Sequence, residues 1–194
     1  MKLGREFYLR DDVLVIAREL LGKVLVSALG DVIRSGVIIE AEAYAGISDR
    51  ASHAWGGRRT NRTEVMYGIG GLAYIYLCYG VHSLFNVVTN GEGIPHAVLI
   101  RGIRPLDGLP AMRAGLGNKG RPSEIIQGPG KLTNAMGIHY SQSGLDLTGD
   151  KIWIEERKSD LRNYKLEITP RIGVAYAGED ALLPYRFVLV KNKN

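Results

Sequence analysis

VIIEAEAYAGISDRASHAWGGRRTNRTEVMYGIGGLAYIYLCYGVHSLFN, residues 37–86, holds two kinds of strand signal on either side of a Gly- and Arg-rich loop. In its first part apolar and acidic residues alternate. Period two puts Ile38, Glu40, Glu42 and Tyr44 on one face of a strand and Val37, Ile39, Ala41 and Ala43 on the other. In its last part, residues 72–79 and 83–89 are rich in aromatic and β-branched residues and read as two strands joined at Tyr79-Gly80-Val81-His82. A regular strand would turn Tyr76 and Tyr79 to opposite sides, with Tyr79 at the turn.

Working outward, Asp11 or Asp12 can cap a helix whose apolar positions Val13, Ile16, Ala17, Leu20 and Leu21 recur at helical spacing, with Gly22 placed to stop it. Residues 23–28 and 32–44 then form a hairpin around Gly30-Asp31. Residues 97–103 predict another strand, ended before Pro105 and carrying Leu99 and Arg101 on a shared face. Short helices are predicted after Asp107 and after Gly128, the latter with Pro129 at its start. Residues 151–155, 166–169, 172–175 and 186–190 predict further strands, and GLGNKGRP at 115–122 a mobile loop. Helices and strands do not alternate regularly, so the pattern predicts an α+β fold with an antiparallel or mixed sheet, not a doubly wound one. No internal repeat or break in composition divides the chain, and one domain over residues 1–194 is expected.

With 194 residues and 45% apolar composition the chain can bury a substantial core. The formal charge is +5, and part of it is concentrated. Six cations (Arg101, Arg104, Arg113, Lys119, Arg121, Lys131) face two acids (Asp107, Glu124) between positions 101 and 131, a candidate phosphate footprint. The single cysteine, Cys78, excludes an internal disulfide and reads as a core residue; with four histidines it offers no zinc-like spacing. No secretory signal and no apolar run near the roughly 18 residues of a membrane span are found, so a soluble, intracellular protein is expected.

The candidate chemistry lies in the opening stretch. Glu40 and Glu42 share a strand face with Tyr44, and a carboxylate against an aromatic wall tends to have its pKa raised, which suits general acid or base work. Spacing alone leaves Glu40 and Glu42 equivalent, and two solvated strand carboxylates would give the same pattern. His53 sits among Arg58, Arg59 and Arg62 around Gly56-Gly57, a loop suited to phosphate. Tyr74, Tyr76 and Tyr79 are either sheet aromatics or stacking surfaces for bases. Asn86 in LFNVV and Arg101 in VLIRGI each need a partner if buried.

Taken together, EAEAY, SHAWGGRRTNR, YIYLCYG with Asn86, VLIRGI, QGPGKLTNAMGI and RIGVAYAGED, with ARELLG at 17–22, resemble the alkyladenine (3-methyladenine) DNA glycosylase family of base-excision repair. The resemblance covers most of the chain. It implies a single-domain α+β fold with a curved, mainly antiparallel sheet, flanking helices and a β-hairpin protruding into the DNA minor groove, and no metal or organic cofactor. By the same resemblance Glu42 activates the hydrolytic water, and Arg101 helps to hold that water or its surroundings. Tyr44, His53, Tyr76 and Leu99 line the base pocket, and Asn86 discriminates against the amino group of normal guanine. Tyr79 fills the gap left by the flipped nucleotide, while Arg58, Arg59, Arg62 and Lys131 are the expected phosphate contacts. The implied partner is double-stranded DNA containing damaged purines, met by a monomer without a membrane, in the cytoplasm or nucleoid of a bacterium or the nucleus of another cell. His82, Ser83, Phe85 and Ala97 need not reproduce other members' contacts, which leaves the lesion range open.

Because no lysine neighbours the carboxylate in sequence, a monofunctional enzyme that leaves an intact abasic site is expected. Two other readings fit the same residues. A non-catalytic nucleic-acid-binding protein would use the basic loops and tyrosines with Glu42 only a strand carboxylate. A metal-assisted nuclease would use Glu40, Glu42 and His53.

Overall fold

The computed structural model describes residues 1–117, 124–157 and 160–192. In chain order the described elements begin with α1 (Arg5–Tyr8), α2 (Val13–Leu20), β1 (Val24–Ser27), β2 (Arg34–Tyr44), β3 (Ala73–Cys78) and β4 (His82–Thr89). They continue with β5 (His96–Asp107), α3 (Leu109–Gly115), β6 (Ile126–Gln127), α4 (Pro129–Met136), β7 (Ile152–Glu155), β8 (Tyr164–Thr169) and β9 (Arg186–Lys191). The strands form one curled antiparallel sheet in the order β3-β4-β5-β2-β1-β7, with β6 added to β5 and β8 reached through β9. An α+β fold with a curved antiparallel sheet is therefore what the chain adopts.

Local signals account for the helices. The Asp12 carboxylate accepts the Leu14 and Val15 amides at 2.8 and 3.1 Å, satisfying two free N–H groups at the start of α2, and Val13, Ile16, Ala17 and Leu20 are buried as their spacing predicts. Pro129 opens α4, and Gly137 closes it with φ +67° in the left-handed region. The Thr133 hydroxyl of α4 donates to the Ser83 carbonyl at 2.6 Å, which fixes the helix against β4 close to the β3–β4 turn.

The centre of the molecule is β2. Along one edge it pairs with β5; along the other it pairs first with β1, through Arg34 to Val37, and then with β9, through Glu40 to Glu42. The sheet forks there, and β2 is buried from Ser35 to Ala43. Its acids are not the solvated strand carboxylates that alternation also allowed. Register shifts on either side of Glu40 break the period of two. Ile38 packs in the same cluster as Ala41 and Ala43, while Val37 and Ile39 pack in another, so the predicted division of faces fails for the first half of the strand. A bulge is the physical cause, since one extra residue transfers every side chain beyond it to the other face.

Three further expectations need correction. Strand β5 continues through Pro105, which stands opposite Gly36; β6 reaches only to Ile103 on the other edge, so a missing N–H there breaks no ladder. Residues 172–175 are not a strand, because Gly173, with φ +77°, turns the chain into a 3₁₀ helix, Ala175–Leu182. Cys78 is half-buried near the hairpin turn instead of in the core. The predicted loop at 115–122 falls mainly on residues 118–122, outside the described residues; Gly115 ends α3.

Candidate active site

Glu42 has no solvent exposure, yet both of its carboxylate oxygens have polar partners. The Tyr44 hydroxyl donates to its Oε2 at 2.9 Å, the Ile172 backbone N–H to its Oε1 at 2.8 Å, and the Arg101 Nε lies 3.3 Å from Oε1. Arg101 also bonds Glu40 Oε1 at 3.0 Å, where Arg186 Nε donates from the other side at 2.8 Å. The β2–β5 register leaves Arg101 unpaired between Gly102, opposite Glu40, and Ile100, opposite Ala41. The bulge aims its guanidinium back between the two acids.

The two carboxylates are thus distinguishable. Glu40 is bound by two arginines, whereas Glu42 also has a phenol and an amide, and the phenol leads to a slot. That slot is lined by Tyr44, His53, Tyr74, Tyr76, Asn86 and Tyr176, together with the buried Met66 and Ala97. The rings of Tyr74 and Tyr76 lie 5.5 Å apart at 31°, and His53 stands edge-on to Tyr76 at 4.6 Å and 75°. A hydrogen bond of 2.8 Å joins His53 Nδ1 to the Tyr74 hydroxyl. The Asn86 amide donates to the carbonyls of Tyr74 (3.0 Å) and Leu84 (3.3 Å).

Burial governs the electrostatics. It pushes the Glu42 carboxyl above the ordinary range against the pull of Arg101, the Ile172 amide and the Tyr44 hydroxyl, with Glu40 adding to the rise. Burial likewise holds the Tyr44 phenol well above its usual value, so it stays protonated and donates. For His53, burial and the positive charges of Arg62 and Arg58 lower the pKa to about 4, which keeps the ring neutral near pH 7.

A second buried pair supports this arrangement. Arg171 Nη1 and Nη2 bond the two Asp49 oxygens at 2.5 and 2.9 Å, and Nη1 also bonds the Ala43 carbonyl at 3.0 Å. Asp49 in turn accepts the Ala45 and Ala51 amides at 3.0 and 2.9 Å. One ion pair therefore ties β2, the loop that carries His53, and the turn whose Ile172 amide reaches Glu42.

At the other end of the sheet, the Val81 amide donates to the Cys78 carbonyl at 3.1 Å, and Tyr79 (φ +49°) and Gly80 (φ +70°) both take the left-handed region, as in a type I′ turn. Tyr79 is 96% exposed. Lys131, Arg58, Arg59 and Arg62 are exposed too, but Arg59 is engaged by Glu64 at 2.6 and 2.8 Å, while Arg62 lies 5.9 Å over the Tyr76 ring. Arg101 is sequestered with the carboxylates and drops out of the predicted basic footprint, of which Lys119 and Arg121 lie outside the described residues.

A family model described as methylpurine-DNA glycosylase (MPG) matches residues 6–193. The chain belongs to the methylpurine-DNA glycosylase family. Membership places it among the DNA N-glycosylases, hydrolases whose substrate is DNA. Relatives named "Putative 3-methyladenine DNA glycosylase" include one from Clostridium acetobutylicum, 45% identical, with 100% of this chain and 96% of that protein covered. Another, from Desulfitobacterium hafniense, is 44% identical over 97% of this chain and 95% of its own length. A third, from Chlamydia felis, is 44% identical over 96% and 95%.

For this glycosylase the structure brings together Glu42, Arg101, Tyr44, His53, Tyr76 and Asn86. Leu99 is buried in register between Glu42 and Asn86 but is not among the slot's lining residues; Ala97, two positions earlier, is. Sequence reasoning missed the Ile172 amide, Arg171, Asp49 and Tyr176. A signal is present in RIGVAYAGED, where Gly173 and Gly178 argue for a turn against the strand that the apolar residues 172–175 suggest. Among the described residues no group of His, Cys, Asp and Glu is arranged to hold a metal, and no helix is long and apolar enough to cross a membrane.

Proposed function

We propose that this protein removes damaged purines, of the 3-methyladenine type and deaminated ones, from duplex DNA by flipping the nucleotide into the Tyr44–His53–Tyr76 slot and hydrolysing its N-glycosidic bond. The observation that carries this reading is a carboxylate without solvent exposure, Glu42, hydrogen-bonded to a tyrosine that lines that slot.

In this mechanism Glu42 takes a proton from water as the water oxygen bonds to the sugar C1′. The C1′–N bond breaks with its electron pair passing to the base. Positive charge builds on the sugar in the transition state, and a carboxylate fixed in a low-dielectric surround stabilises it without reorganising. Arg101 keeps Glu42 oriented and favours its ionised form despite burial. A purine alkylated at N3 arrives with positive charge, which Tyr44 and Tyr76 attract by about 0.5–2 kcal/mol each through cation-π contact. A neutral lesion such as hypoxanthine needs a hydrogen bond to the leaving base as well; Nε2 of neutral His53 can supply it, whereas Asn86, whose amide protons both go to backbone carbonyls, offers a base edge only its oxygen.

Extrusion costs a few kcal/mol of unstacking, least for a damaged base, and Tyr79 offsets part of it by entering the stack. Arg58, Arg62 and Lys131 hold phosphate, with Arg59 the weakest contributor because Glu64 already occupies it. Among the described residues no lysine lines the slot, so the expected product is an intact abasic site with no covalent adduct. The protein works as a single domain and a monomer.

The test is to incubate purified protein, with a chelator present, with duplexes carrying 3-methyladenine, hypoxanthine or ethenoadenine, and to score free base and abasic sites. Release by the wild type and its loss in Glu42→Gln are expected. Binding without release would favour a non-catalytic nucleic-acid-binding protein, and chelator-sensitive strand cleavage a nuclease.

A further inference from the structure

Tyr176 sits where none of the sequence arguments placed a functional residue. It belongs to the 3₁₀ helix Ala175–Leu182, is 69% exposed, and is alone in that exposure among the described residues that line the slot. Its hydroxyl donates to the Ala51 carbonyl at 2.9 Å, two residues before His53. The C-terminal turn is thereby latched to the loop across the slot's mouth.

A base has to enter from the solvent side, where Tyr176 stands, and the walls of the slot differ in how firmly they are held. Tyr44 is bonded to Glu42 and lies against Arg171, whose guanidinium is 4.8 Å from its ring. Tyr74 is buried on β3 and bonded to His53. Asn86 is fastened to two carbonyls inside the sheet. Moving any of these breaks contacts that position Glu42 or the sheet. Tyr176 needs to give up one part-buried hydrogen bond, to the Ala51 carbonyl, which water can reach once the exposed ring has moved.

We propose that Tyr176 is the movable outer wall of the base slot and sets how large a lesion this glycosylase accepts, an inference that rests on the proposed base-excision activity. The ring swings out as the base enters and closes over it, so the width it leaves favours purines that carry a single small substituent over those that carry an additional fused ring.

The experiment compares the wild type with Tyr176→Ala and Tyr176→Trp in single-turnover release from otherwise identical duplexes containing 3-methyladenine or ethenoadenine. The readout is the ratio of the ethenoadenine rate to the 3-methyladenine rate, with melting temperature measured alongside. Removing the wall is expected to raise the ratio about ten-fold, and the larger ring to lower it. General damage to the fold would move both variants the same way. A ratio equal in all three proteins, or shifted in the same direction by Ala and Trp, overturns the inference while leaving the excision reading intact. Failure of the wild type to release any base would instead overturn that reading. Binding of the two free bases to the same three proteins then decides whether Tyr176 sets the slot's width: opposite shifts in relative affinity for Ala and Trp support it, and equal relative affinities refute it.

Discussion

The surroundings of Glu42 and the tip of the β3–β4 hairpin stand on one sheet and are built in opposite ways. Around Glu42 each charged group has partners from several elements: β2, β5, β9 and the turn at Ile172 all meet there. At the tip Tyr79 is 96% exposed and held in a backbone conformation that L residues seldom adopt. The first region is finished before any ligand arrives. The second has its contacts still to make, and a bulky apolar ring left in water on a tight turn gains most when it is inserted between bases. The contrast separates a preorganised reaction centre from a surface whose energy is realised only on binding.

The largest break in that contrast is expected from Glu42→Gln, which preserves shape and most hydrogen bonds but removes the base. Single-turnover release should fall by about 10²–10⁴-fold while lesion binding persists. Next comes Asp49→Ala, which leaves the Arg171 guanidinium buried without its partner. A stability loss of about 3–5 kcal/mol is expected in urea unfolding, with residual activity reduced because the Ile172 amide is no longer held on Glu42. If unfolding is unaffected, the two sides of the site are not joined by this pair.

At the tip, Tyr79→Ala should weaken base extrusion by about 1–3 kcal/mol, the usual value of one stacked aromatic. A fluorescent base analogue reports flipping, and the chemical step measured separately should change less. Equal flipping by the variant would remove Tyr79 from that role. The smallest effect is on the fold: Tyr79→Gly relieves the left-handed strain and should stabilise the free protein by about 1 kcal/mol, even as it impairs extrusion. Stability and function moving in opposite directions at one residue, and together at Asp49, would sharpen the distinction between the regions.

Much of the fold was legible in the sequence because its signals are local. The Asp12 cap, the spacing of Val13, Ile16, Ala17 and Leu20, and the glycines at turns each act within a few residues. Strand β2 was legible in position but not in facing, because the bulge at Glu40 depends on pairing with β5 on one edge and β9 on the other, strands far away in sequence. The candidate site divides in the same way. Glu42, Tyr44, His53, Tyr76 and Asn86 lie within one stretch whose alternation and aromatics draw attention to them, and the family resemblance chose Glu42 over Glu40. Ile172 acts through its backbone amide, so its side chain carries no signal of the role. Arg171 and Asp49 meet across 122 residues, and nothing local marks either as half of a buried pair. Tyr176 was hidden for a different cause, in a segment assigned to a strand.

The most direct test of the central claim is the pH dependence of single-turnover release of 3-methyladenine. Glu42 is held above the ordinary carboxylate range chiefly by burial, and only its ionised form can accept a proton from water. The account predicts that release falls on acidification along a limb whose midpoint lies above the ordinary glutamate value of 4.5, and that this limb is missing from the residual activity of Glu42→Gln. An unchanged acid limb in Glu42→Gln, or release as fast as the wild type, would contradict it.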